Sequence, residues 1–221
     1  IDVPTMMARY ARIIGECVVR RREAGADGAN AMIDGLIHLD HFGRELTDAE
    51  VAGQLVCVFV GGTETAPKIA AHGLMELANA PDQLGEVRAN LARNVPVAVE
   101  ELLRYDSSVQ LTGRVTTAEV ELSGVKIPAQ ESVITLLGAA NRDPAQYPDP
   151  DRLDIGREHI RPLSFGGGIH HCLGAQLARL EAELVFTALI ERLPNITLPE
   201  RDTPARRHSF TLRGQIGRAH V

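Results

Sequence analysis

One run of this sequence places a sulfur where chemistry is possible: Phe165-Gly166-Gly167-Gly168-Ile169-His170-His171-Cys172-Leu173-Gly174. A glycine-rich loop there brings Cys172 to the amino end of an amphipathic segment. The dipole and free N–H groups of such a helix end favour a thiolate over a thiol. Glycines at 168 and 174 allow backbone to approach a flat ligand closely. For an isolated cysteine, burial at a helix start is the simpler reading. Zinc held by His170, His171 and Cys172 fits poorly, because adjacent residues rarely converge on one tetrahedral ion and no second Cys/His pair has suitable spacing. Glu101 and Arg104 stand three apart, a spacing that suits an ion pair on one helix face, though taken alone a solvated surface pair is the simpler reading. Arg114 has the fork that suits a carboxylate, but as an isolated arginine it reads more simply as a surface residue.

The elements that must position these groups are mostly helical. Thr5 to Arg22 has apolar residues at helical spacing (Met6, Tyr10, Ile13, Ile14, Cys17) and ends in three arginines, which suit a helix carboxyl end. After a loop marked by Gly25, Gly28 and Asn30, residues 31–38 read as a short helix. Thr47 with Glu50 forms a capping box that opens a long apolar helix from Asp48 to about Asn79, about 48 Å if continuous. Few of its faces are polar, which predicts burial through the centre of the fold. Gly61, Gly62 and Pro67 weaken its middle, and such local conflict often marks function.

Pro81 and Pro96 each begin a further helix, the second with Val99, Leu102 and Leu103 on its apolar side. Short strands follow at 111–116, 120–122, 126–127 and 133–137, broken by Gly124 and Pro128. Residues 141–164 form a meander rich in Pro, Asp and Arg. A last helix from about Leu173 to Leu193 carries apolar residues at 173, 177, 180, 184 and 188. The fold class expected is mainly α, of the α+β kind.

The totals narrow the function. With 221 residues the chain holds one sizeable domain or two small ones, and 44% hydrophobic content argues against disorder. A net charge of −6 gives no support to a nucleic-acid or anionic-membrane partner. No apolar run approaches the roughly 18–20 residues that span a bilayer. Cys17, Cys57 and Cys172 are too few and too scattered for a disulfide framework, which fits a reducing, cytoplasmic location. The tail Ile216-Gly217-Arg218-Ala219-His220-Val221 reads as one translated frame of a common sequencing-adapter sequence. Residues 216–221 are therefore expected to be a non-native tail.

The cysteine run resembles the haem-binding motif of the bacterial, soluble cytochrome P-450 family, Phe-x-x-Gly-x-His/Arg-x-Cys-x-Gly, matched by Phe165, Gly168, His170, Cys172 and Gly174. Three further segments resemble the same family in the same order. Gly61-Gly62-Thr63-Glu64-Thr65 is similar to its oxygen-activation motif, Glu101-Leu102-Leu103-Arg104 to its Glu-x-x-Arg pair, and Gly113-Arg114 to the strand carrying a propionate-binding arginine. Asn141-Arg142-Asp143-Pro144 and Tyr147-Pro148-Asp149-Pro150 resemble its approach to the meander. The resemblance runs from about Thr47 to Leu212, and more loosely back to Tyr10.

The resemblance implies the carboxy-terminal part of the cytochrome P-450 fold, with a long central helix, small β-sheets, a haem-binding loop and a last helix. Residues 1–215 would form a partial domain lacking its amino-terminal region, a fragment with core surface exposed. It also implies a metal-binding oxidoreductase, a haem-thiolate monooxygenase holding haem b (iron protoporphyrin IX) and inserting one oxygen atom of O2 into a small organic substrate. Electrons would come singly from a ferredoxin-type or flavin-containing donor. In that reading Cys172 ligates the iron, Phe165 shields the sulfur, and His170 and Arg114 anchor propionates. Gly61 and Gly62 leave room for O2, Thr65 donates a hydrogen bond and Glu64 relays protons. Glu101, Arg104 and Arg152 form a structural triad under the loop. Thr65 alone would more simply bond back to its own helix. A haem-thiolate peroxygenase or isomerase, or a non-catalytic haem-binding or redox remnant, remains as the rival. The Glu64–Thr65 pair favours the O2-dependent reaction.

Overall fold

The computed structural model describes residues 2–197 and 209–214. The expected tail at 216–221 lies outside them. The chain clusters into two compact units, residues 1–63 and 64–221.

The first unit contains α1 (Val3–Glu23), α2 (Ala31–Ile37) and the first half of α3 (Asp48–Asn79). Asp2 caps α1 by accepting from the Thr5 amide, and Asn30 caps α2 through the Ile33 amide at 3.2 Å. The capping box at the start of α3 forms reciprocally: Glu50 N–H donates to Thr47 Oγ1 at 3.3 Å, and Thr47 N–H donates to Glu50 Oε2 at 2.9 Å. Val18, Ile37, Leu46, Val51 and Leu55 make the core of this unit. Arg21 clasps the buried carboxylate of Asp34 at 2.9 and 2.6 Å. The apolar stripe expected on α1 faces inward only in part, since Met6, Tyr10 and Ile13 are exposed while Val18 is fully buried.

The helix α3 is unbroken across Gly61, Gly62 and Pro67, with the bounds its caps and pattern predict. Its burial differs from expectation. Val51, Ala52 and Leu55 are covered in the first unit, and Ile69, His72 and Leu77 in the second, but Val58, Phe59 and Val60 are exposed. A helix buries only the faces against which other elements pack, and on this stretch the ring contact is that of Tyr10 with Phe59, centroids 5.1 Å apart, which leaves Phe59 42% exposed.

The second unit adds α4 (Pro81–Ala89), α5 (Leu91–Tyr105), β1 (Thr112–Val115), β2 (Val120–Leu122), β3 (Val125–Ile127), β4 (Ser132–Thr135), α6 (Leu137–Ala140) and α7 (Ala175–Arg192). β1 pairs antiparallel with β4, Arg114 opposite Val133, and β2 with β3. Ser123 and Gly124, both at positive φ, close the second hairpin. The fold is mainly α with two small antiparallel sheets, as expected.

Two helices depart in detail. α5 begins at Leu91 rather than Pro96, because the Asn90 side chain caps it through the Arg93 amide at 3.1 Å and the helix tolerates Pro96 inside. α7 is turned the other way from its expected stripe: Leu173, Leu177, Leu180 and Leu184 are exposed, while Ala175, Ala182, Phe186 and Ile190 are buried. Small residues at 175 and 182 allow close helix packing, and the Phe186 ring fills the gap against Gly73 of α3, where a side chain would collide with it. Around that contact lies the core of the second unit, Ile69, Leu77, Val99, Leu102, Leu103, Phe165 and Phe186 among others.

Candidate functional site

The cysteine loop is fixed at its entry and bare at its tip. Phe165 is buried, its ring under the Arg179 guanidinium at 4.6 Å and edge-on to His171 at 6.5 Å. Gly166 and Gly168 then take φ values of +68° and +60°, a region in which a side chain is strained. These bends fold the chain back so that the Cys172 N–H donates to the Phe165 carbonyl at 2.8 Å. Cys172 is exposed, so burial at a helix start does not describe it. α7 begins three residues later, behind Gly174, which supplies no side-chain cap. The first-turn N–H groups therefore lie close in sequence to the sulfur.

What surrounds the sulfur suits a flat apolar group. Ile169 and Leu173, which flank the cysteine in sequence, are 97% and 93% exposed. Large apolar side chains held open beside a thiol leave surface that a ligand would cover. Among the described residues no three His, Cys, Asp or Glu side chains come together to hold a bare ion. The donor set therefore fits a metal that brings most of its own ligands and takes a single thiolate from the protein. A haem iron is such a group, and the residues present fit it.

The other expected site residues sit as follows. Thr65 and Glu64 are partly buried on α3 in the second unit. The Thr65 carbonyl accepts from Ser108 Oγ at 3.4 Å. Lys68 Nζ lies 3.2 Å from Glu64 Oε1 and also donates to the Glu64 carbonyl at 2.7 Å. Gly61 and Gly62 lie in the first unit, both exposed, with nothing within 4 Å of where a Cβ would stand. Arg114 is half-buried on β1, its Nη1 donating to Gly113 O at 2.8 Å and Thr112 Oγ1 at 3.3 Å. It makes no ion pair among the described residues. His170 is exposed on the loop.

The Glu101–Arg104 pair is 0% exposed on both sides, so it is not a surface pair. Every N–H of Arg104 has a partner: Nε to Glu101 Oε2 at 2.7 Å, Nη2 to Glu101 Oε1 at 2.8 Å and Arg152 O at 3.1 Å, Nη1 to Asn141 O at 3.0 Å and Pro150 O at 2.8 Å. Arg152 thus joins through its carbonyl, with its side chain exposed. The second guanidinium to reach Glu101 is that of Arg157, at 3.4 Å from Oε1. Arg157 also donates to the carbonyls of Pro148, Asp149 and Arg152. Sequence reasoning passed over Arg157, although an arginine five residues beyond Arg152 in the same meander was a visible candidate.

The sequence model of the family described as Cytochrome P450 matches residues 4–216. Among curated relatives, 6-deoxyerythronolide B hydroxylase of Saccharopolyspora erythraea is 40% identical over 196 residues, 88% of this chain and 48% of that protein. Cytochrome P450 monooxygenase PikC of Streptomyces venezuelae is 38% identical over 195 residues, 88% of this chain and 46% of that protein. The chain spans about half the length of the curated relatives it matches. Among solved structures, P450BioI in complex with an acyl carrier protein ligated to hexadec-9Z-enoic acid superposes with a TM-score of 0.86 at 35% identity, over 94% of this chain and 52% of that one. With an exposed cysteine presented by paired glycine bends, a fully buried Glu-x-x-Arg pair bonded to the meander, and this agreement in sequence and fold, the chain belongs to the cytochrome P450 family.

Proposed function

We propose that this chain carries the thiolate-ligating and proton-handling residues of a haem-thiolate monooxygenase that inserts one oxygen atom of O2 into a small organic substrate. The observation that carries the reading is Cys172: an exposed sulfur on a loop bent by two positive-φ glycines, flanked by exposed apolar side chains. The names of two relatives, a hydroxylase and a monooxygenase, support the same reaction class.

The group implied is haem b, which when bound supplies oxygen activation tuned by a thiolate ligand. The chain's own residues would do the rest. Cys172 donates its thiolate to the iron, with the Phe165 carbonyl holding its amide. Arg114 and His170 offer donors to the two propionates, and the absence of an acidic partner for Arg114 among the described residues leaves its charge available. Thr65 holds a proton at its hydroxyl, and Glu64 passes protons inward from solvent. Lys68 orients that carboxylate through one oxygen, Oε1. Gly61 and Gly62 keep their stretch of α3 without side chains. Glu101, Arg104 and Arg157, together with the carbonyl of Arg152, hold the meander in place.

The electron source would be a ferredoxin-type or flavin-containing donor, in a cytoplasmic setting. No helix among the described residues is long and apolar enough to cross a membrane. The P450BioI complex makes a carrier-bound acyl chain one concrete substrate class to screen.

The test is the reduced carbon monoxide difference spectrum of the haem-loaded protein, beside Cys172→Ala. A thiolate-type Soret band that Cys172→Ala abolishes is expected. A band at the imidazole-ligated position, or an unchanged spectrum in the variant, would defeat the assignment.

A further inference from the structure

Asn141 ends the short helix α6 and is 1% exposed, yet its side chain is engaged on every polar atom. Its Oδ1 accepts the Leu163 N–H at 2.7 Å. Its Nδ2 donates to Ser107 Oγ and to Ser164 Oγ, each at 2.8 Å. The amide cannot be turned over, because the Leu163 N–H only donates and therefore requires the oxygen. Its backbone is held as well, the N–H by Leu137 O at 3.0 Å and the carbonyl by Arg104.

The two serines complete a closed circuit. Ser107 Oγ lies 2.9 Å from Leu103 O, Ser164 Oγ lies 2.6 Å from the same carbonyl, and the two hydroxyls are 2.6 Å apart. Two hydroxyl protons cannot serve all three contacts. One serine must donate to the other, which donates to Leu103 O, and the two Nδ2 hydrogens of Asn141 go one to each hydroxyl oxygen. This circuit joins α5, α6 and the turn Leu163–Phe165. That turn is the last fixed backbone before the glycine bends, and the Phe165 carbonyl in it holds the Cys172 amide.

We propose that Asn141 is a positioning residue for the thiolate: by fixing Leu163 and Ser164 it sets where the loop leaves the core, and so where Cys172 stands. The inference rests on Cys172 being the iron ligand. Leu163 and Ser164 lie eight or more residues before the sulfur, but the carbonyl that receives the cysteine amide belongs to Phe165, the residue directly after the clamp. Past Gly166 the tip is exposed and offers no comparable anchor among the described residues.

Asn141→Asp tests this with little change in shape, since its carboxylate keeps the acceptor for Leu163, removes both donors and adds a buried charge that loosens the clamp further. Ser164→Ala is the milder second variant. Two readouts are taken: amide hydrogen exchange across residues 163–172 in the haem-free chain, and the thiolate-type share of the reduced carbon monoxide spectrum in the haem-loaded chain. Loss of two buried hydrogen bonds is expected to speed loop exchange about tenfold and to lower the thiolate share, while exchange at Val99 and Phe186 stays as in the wild type. Ser164→Ala is expected to do the same more weakly, and it decides the matter if Asn141→Asp does not fold. Unchanged loop exchange, an unchanged thiolate share in a protein whose wild type shows one, or equal acceleration in loop and core would overturn the proposal. Should the haem-loaded wild type show an imidazole-type band in place of a thiolate-type one, the ligand assignment fails and this positioning role falls with it; loop exchange that still responds would then mark the clamp as structural only.

Discussion

Arg104→Lys is the sharpest test of the buried network, because it keeps the charge and changes only the number and reach of the donors. Arg104 uses five N–H groups, two on Glu101 and three on the carbonyls of Asn141, Pro150 and Arg152. An ammonium has three donors on one atom, so at least two acceptors lose their partner. Glu101 Oε1 and the Arg152 carbonyl keep a second donor in Arg157, so losing those two contacts should cost about 1–3 kcal/mol, and stranding two of the other acceptors about 2–6 kcal/mol. A domain is stable by only about 5–15 kcal/mol, so the loss is large enough to read by urea denaturation. Amide exchange should show where it falls, with residues 148–157 losing protection before the α5–α7 core. Arg104→Met should cost more, since among the described residues it leaves the Glu101 carboxylate with Arg157 as its one remaining cation. If Arg104→Lys unfolds within about 0.5 kcal/mol of wild type, the range within which ordinary surface substitutions fall, the count of buried acceptors is not what stabilises the meander.

Gly73→Ala gains roughly 1 kcal/mol in helix propensity but sets a methyl into the Phe186 ring and 3.0 Å from Leu102 Cδ1. Overpacking of about 1–3 kcal/mol should outweigh the gain, and Phe186→Leu in the Gly73→Ala background should recover part of it; a net rise in urea midpoint for the single variant would contradict the packing argument. In the first unit, the Arg21 guanidinium hydrogen-bonds the Asp34 carboxylate and holds its pKa down to about 2 from 3.8, against the opposing effect of desolvation. A carboxylate depressed in the folded state contributes stability that is fully present above 3.8 and is lost as pH falls from there towards 2. Asp34→Asn should therefore flatten the acid limb in that window when circular dichroism is followed against pH, and a limb as steep as wild type would refute the role of this pair.

Much of the candidate site could be read without coordinates because it is local in the chain. A cysteine behind three glycines, a threonine after a glutamate, and an acid and base one helical turn apart are each defined within ten residues. The capping box at Thr47 and Glu50 and the bounds of α3 belong to the same class. Which arginine joins Glu101 was not legible, since Arg152 and Arg157 lie in one irregular segment where no periodicity says which side chain turns inward. Nor was the role of Asn141, whose partners come from residues 103–107 and 163–164. A short polar side chain carries no mark in sequence of the groups it will meet.

The sequence by itself determined which groups are available: a cysteine at a glycine bend, the acid–threonine pair, and helices of given start and length. These follow from backbone preferences and caps that act over a few residues. Tertiary structure alone decided which groups are buried and which way they face. It turned α7 so that its leucines at 173, 177, 180 and 184 are exposed and Phe186 packs on Gly73, and it sealed Glu101 and Arg104 from water. The reason is that burial is settled by which surfaces meet, through volume and hydrogen-bond satisfaction between segments tens of residues apart, and a one-dimensional pattern fixes a stripe of residues but not the neighbour it will find.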